Sequence, residues 1–177
     1  LRTITGRIAL FLFTIAAATL TGGVYGMIHN QISYTIAPDY FTNFKFIQFN
    51  MVNVPDRAGA AFVGFQATWW VGTILGTVTA LSVLMHSGIR PAVKHTTRSI
   101  LLALSLAAVT GAVGAFIGLA GASSPFHAAG RMHNAGYLGG VLGIPAVVVY
   151  NLLTRSGSAK KKDRHFGEER PNRDEDA

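Results

Sequence analysis

The chain has 177 residues, of which 50% are hydrophobic and only 13% are charged. Soluble domains usually carry about 25% charged residues, so the composition argues against a water-soluble globular protein. The net charge is +7, but the basic residues follow a topological pattern that does not suggest a nucleic-acid surface. The absence of cysteine excludes disulfides and thiolate metal sites.

Four apolar runs account for the low charge, and each has about the 20 residues needed to cross a bilayer core. They cover about 8–28, 65–85, 100–119 and 135–153. A soluble bundle would need four fully apolar helices in a chain this short. We therefore predict an all-α polytopic membrane protein, with a four-helix transmembrane domain over 1–154 and an outer segment over 29–64. Mixed charge over 155–177 predicts a cytoplasmic tail that is disordered unless a partner binds it.

The distribution of basic residues predicts the orientation of the helices. Twelve of the 15 Lys and Arg residues precede the first run, lie between the second and third, or follow the fourth. Only Lys45, Arg57 and Arg131 lie on the opposite side. The positive-inside rule then places both termini in the cytoplasm. The basic start resembles a signal peptide, but the apolar run continues to Ile28, so we expect a retained first span.

The segment between the first two runs is dense in aromatic residues. Such rings favour the headgroup level of a bilayer, which predicts an extracytoplasmic aromatic cap. A surface that binds a partner is the alternative interpretation. The aromatic residues are Tyr34, Tyr40, Phe41, Phe44, Phe46 and Phe49.

Glycines recur at spacings of three or four within every run, which is typical of close helix–helix packing. We expect these glycines to lie at helix contacts, and the third and fourth spans to form an antiparallel hairpin. The predicted packing positions are Gly22, Gly26, Gly72, Gly76, Gly114, Gly118, Gly136 and Gly140.

A polar site is predicted at the outer boundary, where the helix ends carry histidines and other polar residues. Three imidazoles and one carboxylate would suit a metal, with His29, His127 and His133 as the candidate ligands. However, His127 and His133 are six residues apart and do not share a helix face. We favour hydrogen-bonding roles, and expect His133 to pair with another helix or the outer segment. The candidate residues are His29, Asp56, His127, Arg131, His133 and Tyr137.

Two sequence stretches resemble those of small bacterial four-span inner-membrane proteins. The resemblance implies no particular activity. They are His29-Asn-Gln-Ile-Ser-Tyr-Thr-Ile-Ala-Pro-Asp-Tyr-Phe-Thr-Asn-Phe-Lys-Phe46 and Met132-His-Asn-Ala-Gly-Tyr-Leu-Gly-Gly140. The resemblance covers the four spans but not the tail. It implies a multi-pass protein of the bacterial inner membrane.

Three functions are consistent with these features. The spans lack charged residues in their interiors and no catalytic motif is present, which favours an accessory or scaffold subunit of a larger membrane complex over an enzyme, a transporter or a pump. A metal-dependent enzyme or metal-handling protein is the second interpretation, and a lipid or small-molecule binding module with a pocket between hairpins is the third.

We expect contact with the lipid bilayer and with a membrane protein partner or a second copy, but not with nucleic acid. No cofactor is predicted.

The predicted orientation can be tested with topology reporters. A reporter fused after Arg155 should be active only in the cytoplasm, and one inserted near Asn43 only outside it, because basic loops are retained inside. The reverse pattern of activity would show that the charge bias has been misread.

Overall fold

A computed structural model describes residues 4–54, 56–83, 89–121 and 124–168. It confirms the all-α polytopic class, because four of its helices are long and apolar enough to cross a membrane. In chain order the elements are α1 (Ile4–Ile36), α2 (Pro38–Tyr40), a π-helical turn (Phe41–Lys45), α3 (Phe46–Gln48), α4 (Asp56–Val83), α5 (Ile89–Ala120) and α6 (Pro125–Glu168).

The helices are longer than the predicted spans, so the segment that connects the first two is shorter than expected. α1 continues through residues 29–36 and ends where Ala37 adopts a non-helical conformation (φ −149°, ψ 88°). The residue before a proline disfavours helix, and Pro38 follows. The connection is therefore residues 37–54, which we call the cap.

α6 continues past the predicted fourth span and ends at Glu168, within the predicted tail. Residues 155–168 include three Lys and two Arg, which have high helix propensity and allow the helix to extend past its apolar part. The last residues of the predicted tail, 169–177, lie outside the described residues.

The four long helices form two antiparallel hairpins, α1 with α4 and α5 with α6. Glycines let the backbones of each pair approach closely. A Cβ placed on Gly22 would lie 3.0 Å from the Gly72 Cα, and one on Gly118 would lie 2.5 Å from the Ala128 Cα. Thr68 Oγ1 also donates across the first hairpin to the Gly22 carbonyl at 2.8 Å. Each hairpin is thus a unit with almost no space between its helices.

The two hairpins contact each other mainly toward their ends. Away from the cap, Leu10 of α1 packs on Ala92 of α5, and the Thr14 and Thr96 hydroxyls lie 3.5 Å apart. Nearer the middle, one cluster joins α4, α5 and α6 through Leu75, Ala103 and Val147. Between this cluster and the cap the hairpins separate.

The cap closes one end of the bundle with buried aromatic rings. Tyr40, Phe41 and Phe46 are buried, and they pack on the first turns of α4 and α6. Asn50 has a positive φ of 53°, a conformation that asparagine tolerates, just after α3 ends. These aromatic residues therefore form an internal core that joins both hairpins, while Phe44 remains 43% exposed.

We expect Gly118→Ala to destabilise the protein and Gly140→Ala not to. A Cβ on Gly118 collides with the Ala128 backbone, whereas one on Gly140 meets only the Val71 Cγ1 atom, at 3.9 Å. Overpacking costs about 1–3 kcal/mol, and both changes gain the same helix propensity, so their difference isolates the collision. Thermal unfolding in detergent measures it. Equal melting temperatures would mean that α5 and α6 do not meet at Gly118.

Candidate functional site

A cavity of about 390 Å³ lies between the two hairpins. Along α1 its lining runs from Ala18 to Asn30, a distance of about 18 Å at the rise of an α-helix. Leu75, Ala103 and Ile144 line the end away from the cap, where the wall is entirely apolar. The described lining contains no Asp, Glu, Lys or Arg.

The cavity is open on one side, between α4 and α6. The lining residues on that side are themselves exposed: Trp70 and Ile74 on α4, and Tyr137 and Val141 on α6. Because both helices are candidate membrane spans, this opening faces the region that lipid would occupy. The cavity is therefore accessible laterally.

Polar residues collect at the cap end of the cavity, and two histidines form their centre. The His29 and His133 rings meet edge to face, with their centroids 5.0 Å apart. Tyr137 lies one helical turn from His133 on α6, and their ring centroids are 6.5 Å apart. Tyr25 lies one turn before His29 on α1, and its hydroxyl is 3.5 Å from His29 Nδ1. Three of the six predicted site residues thus come together here.

His29 crosses from the first hairpin to the second, and glycines make room for it. A Cβ on Gly111 of α5 would lie 3.2 Å from His29 Cε1, and one on Gly136 of α6 would lie 3.4 Å from the same atom. Gly136 therefore accommodates the His29 side chain and also lies against α5, where a Cβ would be 3.7 Å from the Ala107 carbonyl oxygen. Gly140, one turn further along α6, lines the cavity and differs from the predicted close-packed glycines, because a Cβ there would have only Val71 Cγ1 within 4 Å.

His133 is fixed by groups from both α1 and the cap. Its Nε2 lies 2.9 Å from the Ser33 Oγ atom, and its ring stacks on Tyr40 at a centroid distance of 5.2 Å. The expected pairing of His133 with another helix is confirmed by the Ser33 contact. Burying an imidazole or a hydroxyl unpaired would cost about 1–3 kcal/mol, so this contact stabilises both.

The other predicted residues lie outside the cavity. His127 is exposed at the start of α6, where its Nδ1 is 2.8 Å from the Ser124 Oγ atom. Asp56 accepts a hydrogen bond from the Tyr34 hydroxyl at 3.2 Å on the surface of the first hairpin. The Arg131 side chain is exposed and makes no ion pair or hydrogen bond within the described part of the chain. Residues two positions apart lie on nearly opposite faces of an α-helix, which is why the Arg131 side chain points away from that of His133.

The metal hypothesis requires at least three ligands at one point. Among the described residues, no group of three His, Cys, Asp or Glu side chains is close enough together to hold a metal ion. His29 and His133 form only a pair, and the cavity carries no carboxylate.

The cap contributes a buried cation above the histidine pair. Lys45 is 6% exposed, donates to Gln48 Oε1 at 3.1 Å, and its ammonium lies 5.1 Å from the Phe44 ring centroid and 5.8 Å from that of Phe49. Burial lowers the pKa of Lys45 from its usual value. The aromatic rings offset part of the desolvation cost of this charge.

Sequence reasoning missed several members of the cluster, although the sequence carried a signal for them. Tyr25, His29 and Ser33 recur at a spacing of four, which places them on one face of a helix. Because the first span was predicted to end at residue 28, these three residues were not recognised as neighbours on one helix face. Tyr40 and Lys45 reach the site only through the fold of the cap.

No protein-family model, no curated protein and no solved structure matches this chain.

The buried Tyr40 hydroxyl predicts a pH dependence of stability. Burial, with a smaller contribution from Tyr137, raises the pKa of Tyr40 to about 12. The unfolded phenol ionises near 10, so below pH 10 the stabilising contribution is complete, and it is lost as pH rises from 10 through 12. We expect Tyr40→Phe to show a smaller decrease in melting temperature than wild type between pH 9.5 and 11.5. Parallel curves would mean that Tyr40 is solvated.

Proposed function

We propose that this protein binds an uncharged amphiphilic molecule, which enters the cavity between the hairpins from the bilayer. The cavity carries this proposal, because it joins an apolar channel to a cluster of polar side chains. Ligand sites in proteins share this design: a largely apolar wall with a few placed polar groups, and a volume of about 300–1,000 Å³. The binding module was one of three functions predicted from the sequence.

The charge of the ligand follows from the lining. A buried carboxylate or phosphate needs a paired cation, and the cavity wall offers no Lys or Arg. An ammonium group would need an acidic partner, which the wall also lacks. Lys45, the buried cation of the cap, is engaged with Gln48 and aromatic rings of the cap. An uncharged polar group is therefore the type of ligand that these residues accommodate.

The orientation of the ligand follows from the ends of the cavity. The polar end of the ligand would lie near His29 and His133, and its apolar part would extend toward Leu75 and Ile144. With the positive-inside bias, we further propose that the cap faces the outer side of a bacterial inner membrane. The ligand's polar end would then lie in the outer half of the bilayer.

The accessory-subunit function stays a prediction. The exposed apolar helix faces fit contact with lipid as well as contact with another protein. Purification in mild detergent, followed by a search for a stoichiometric membrane partner, tests it independently of ligand binding.

Filling the cavity should remove the ligand. We expect Gly140→Leu to lower the amount of co-purified neutral lipid about tenfold, which corresponds to a loss of roughly 1.4 kcal/mol in binding free energy. The added side chain has room only in the cavity, since a Cβ at Gly140 has just Val71 within 4 Å. Native mass spectrometry of the purified protein measures the bound lipid.

Ala108→Leu is the matched control, because Ala108 is exposed on α5 and lies outside the cavity. It adds similar bulk to a lipid-facing surface and should leave bound lipid unchanged. If wild type retains no neutral lipid under conditions that preserve its helicity, the proposed function is wrong.

A further inference from the structure

The hydrogen-bonding groups around the cavity are not all engaged, and the free ones define what the ligand must carry. Asn30 Nδ2 donates to the Ala60 carbonyl at 3.0 Å, and Thr68 Oγ1 lies 2.8 Å from both the Gly22 and Gly64 carbonyls. Thr68 therefore has no hydroxyl proton left for a ligand, whereas the second amide N–H of Asn30 is not used by this bond. Tyr137 also lines the cavity, and its hydroxyl has no hydrogen-bond partner within the part of the chain that the structure describes.

His29 supplies a further donor. When the Tyr25 hydroxyl donates to Nδ1, the proton of the uncharged imidazole resides on Nε2. Within residues 4–54, 56–83, 89–121 and 124–168, no group forms a hydrogen bond with His29 Nε2. In that tautomer the cap end presents a phenol and an imidazole N–H to the ligand, in addition to the second amide N–H of Asn30. Donors at one end of a cavity suit a ligand that carries acceptor oxygens.

The shape of this end suits a flat ring. The His29 and His133 rings meet at an interplanar angle of 72°, and Tyr137 is tilted by 38° to His133, so ring faces and edges enclose the space. Gly140, on the same helix as His133 and Tyr137, presents backbone without a side chain to the cavity. Aromatic rings pack favourably against other rings in stacked or edge-to-face arrangements. An acyl chain or a sterol would gain less from these ring faces.

Resting on the proposed function, we infer that the ligand is a membrane quinone: a planar ring with carbonyl oxygens on an apolar tail. The carbonyl oxygens would accept hydrogen bonds from Tyr137 and His29, and the ring would lie over Gly140. The tail would follow the apolar channel toward Leu75. A quinone is uncharged and resides in the bilayer, which matches the neutral lining and the lateral opening between α4 and α6.

Decylubiquinone is the probe, and farnesol, an uncharged alcohol with a similar apolar tail, is the competitor that lacks the ring. Purified full-length protein in detergent is titrated with each, and binding is followed by the quenching of Trp fluorescence, since Trp70 lines the cavity. We expect decylubiquinone to bind at least about tenfold more tightly than farnesol. Each lost hydrogen bond to a buried group is worth about that factor.

Tyr137→Phe should weaken decylubiquinone binding about tenfold and leave farnesol binding nearly unchanged. Tyr34→Phe is the matched control, because the Tyr34 hydroxyl donates to Asp56 outside the cavity. Circular dichroism checks that both variants keep their helicity. Should Tyr137→Phe fail to fold, Gly140→Leu replaces it and should abolish binding of both probes.

The outcomes separate this inference from the proposed function. Equal affinities for the two probes, with no effect of Tyr137→Phe, would overturn the quinone assignment and leave a general amphiphile site. Failure of decylubiquinone to bind, in protein that retains another neutral lipid sensitive to Gly140→Leu, would have the same meaning. If neither probe binds and no lipid is retained, both proposals are wrong.

Discussion

Close contact between glycine-bearing helix faces is the constraint on which the rest of this structure depends. Within a bilayer the hydrophobic effect does not drive helices together, so their association relies on van der Waals contact and hydrogen bonds. Gly22 against Gly72, and Gly118 against Ala128, bring backbones together and allow Thr68 to donate across the first hairpin. The two hairpins that result are closely packed units, and the space left between them is the cavity.

The cap decides which end of that space is polar and closed. Its rings bury themselves on α4 and α6, and Tyr40 stacks on His133, so a connection between two helices also fastens the two hairpins together. The His29 side chain extends from α1 to the second hairpin, where Gly111 and Gly136 leave room for it. A single polar cluster thereby contributes to the stability of the bundle and lines its cavity. In such a cluster the unengaged groups, Tyr137 above all, are the ones available to a ligand.

The absence of charge from the described cavity wall has a functional consequence beyond solubility in lipid. A charged residue near the middle of a bilayer is costly and usually marks an ion or proton pathway. Here the described wall combines apolar side chains with phenol, imidazole, amide and hydroxyl groups, which can orient a ligand without requiring a counter-ion. This chemistry supports the proposed recognition of a neutral molecule from the lipid phase.

The sequence by itself determined the class of the protein, because length and hydropathy alone define a membrane-spanning helix. Four runs of about 20 apolar residues predicted four helices, and glycine spacing predicted where backbones come close. The sequence also singled out His29, His133 and Tyr137, since polar residues beside apolar runs are conspicuous. It misjudged the end of α1, where a local break at Ala37 and Pro38 matters more than polarity.

Only the tertiary structure decided that His29 and His133 meet, while His127, Arg131 and Asp56 remain apart from them. Residues 104 positions apart come together because of the way two hairpins dock, and helical periodicity cannot encode that distance. The same docking assigned Gly136 and Gly140 to a side-chain niche and a cavity wall, although their spacing matches that of the packing glycines. Periodicity fixes which residues share a helix face, but which neighbour that face meets depends on the assembly of the whole bundle.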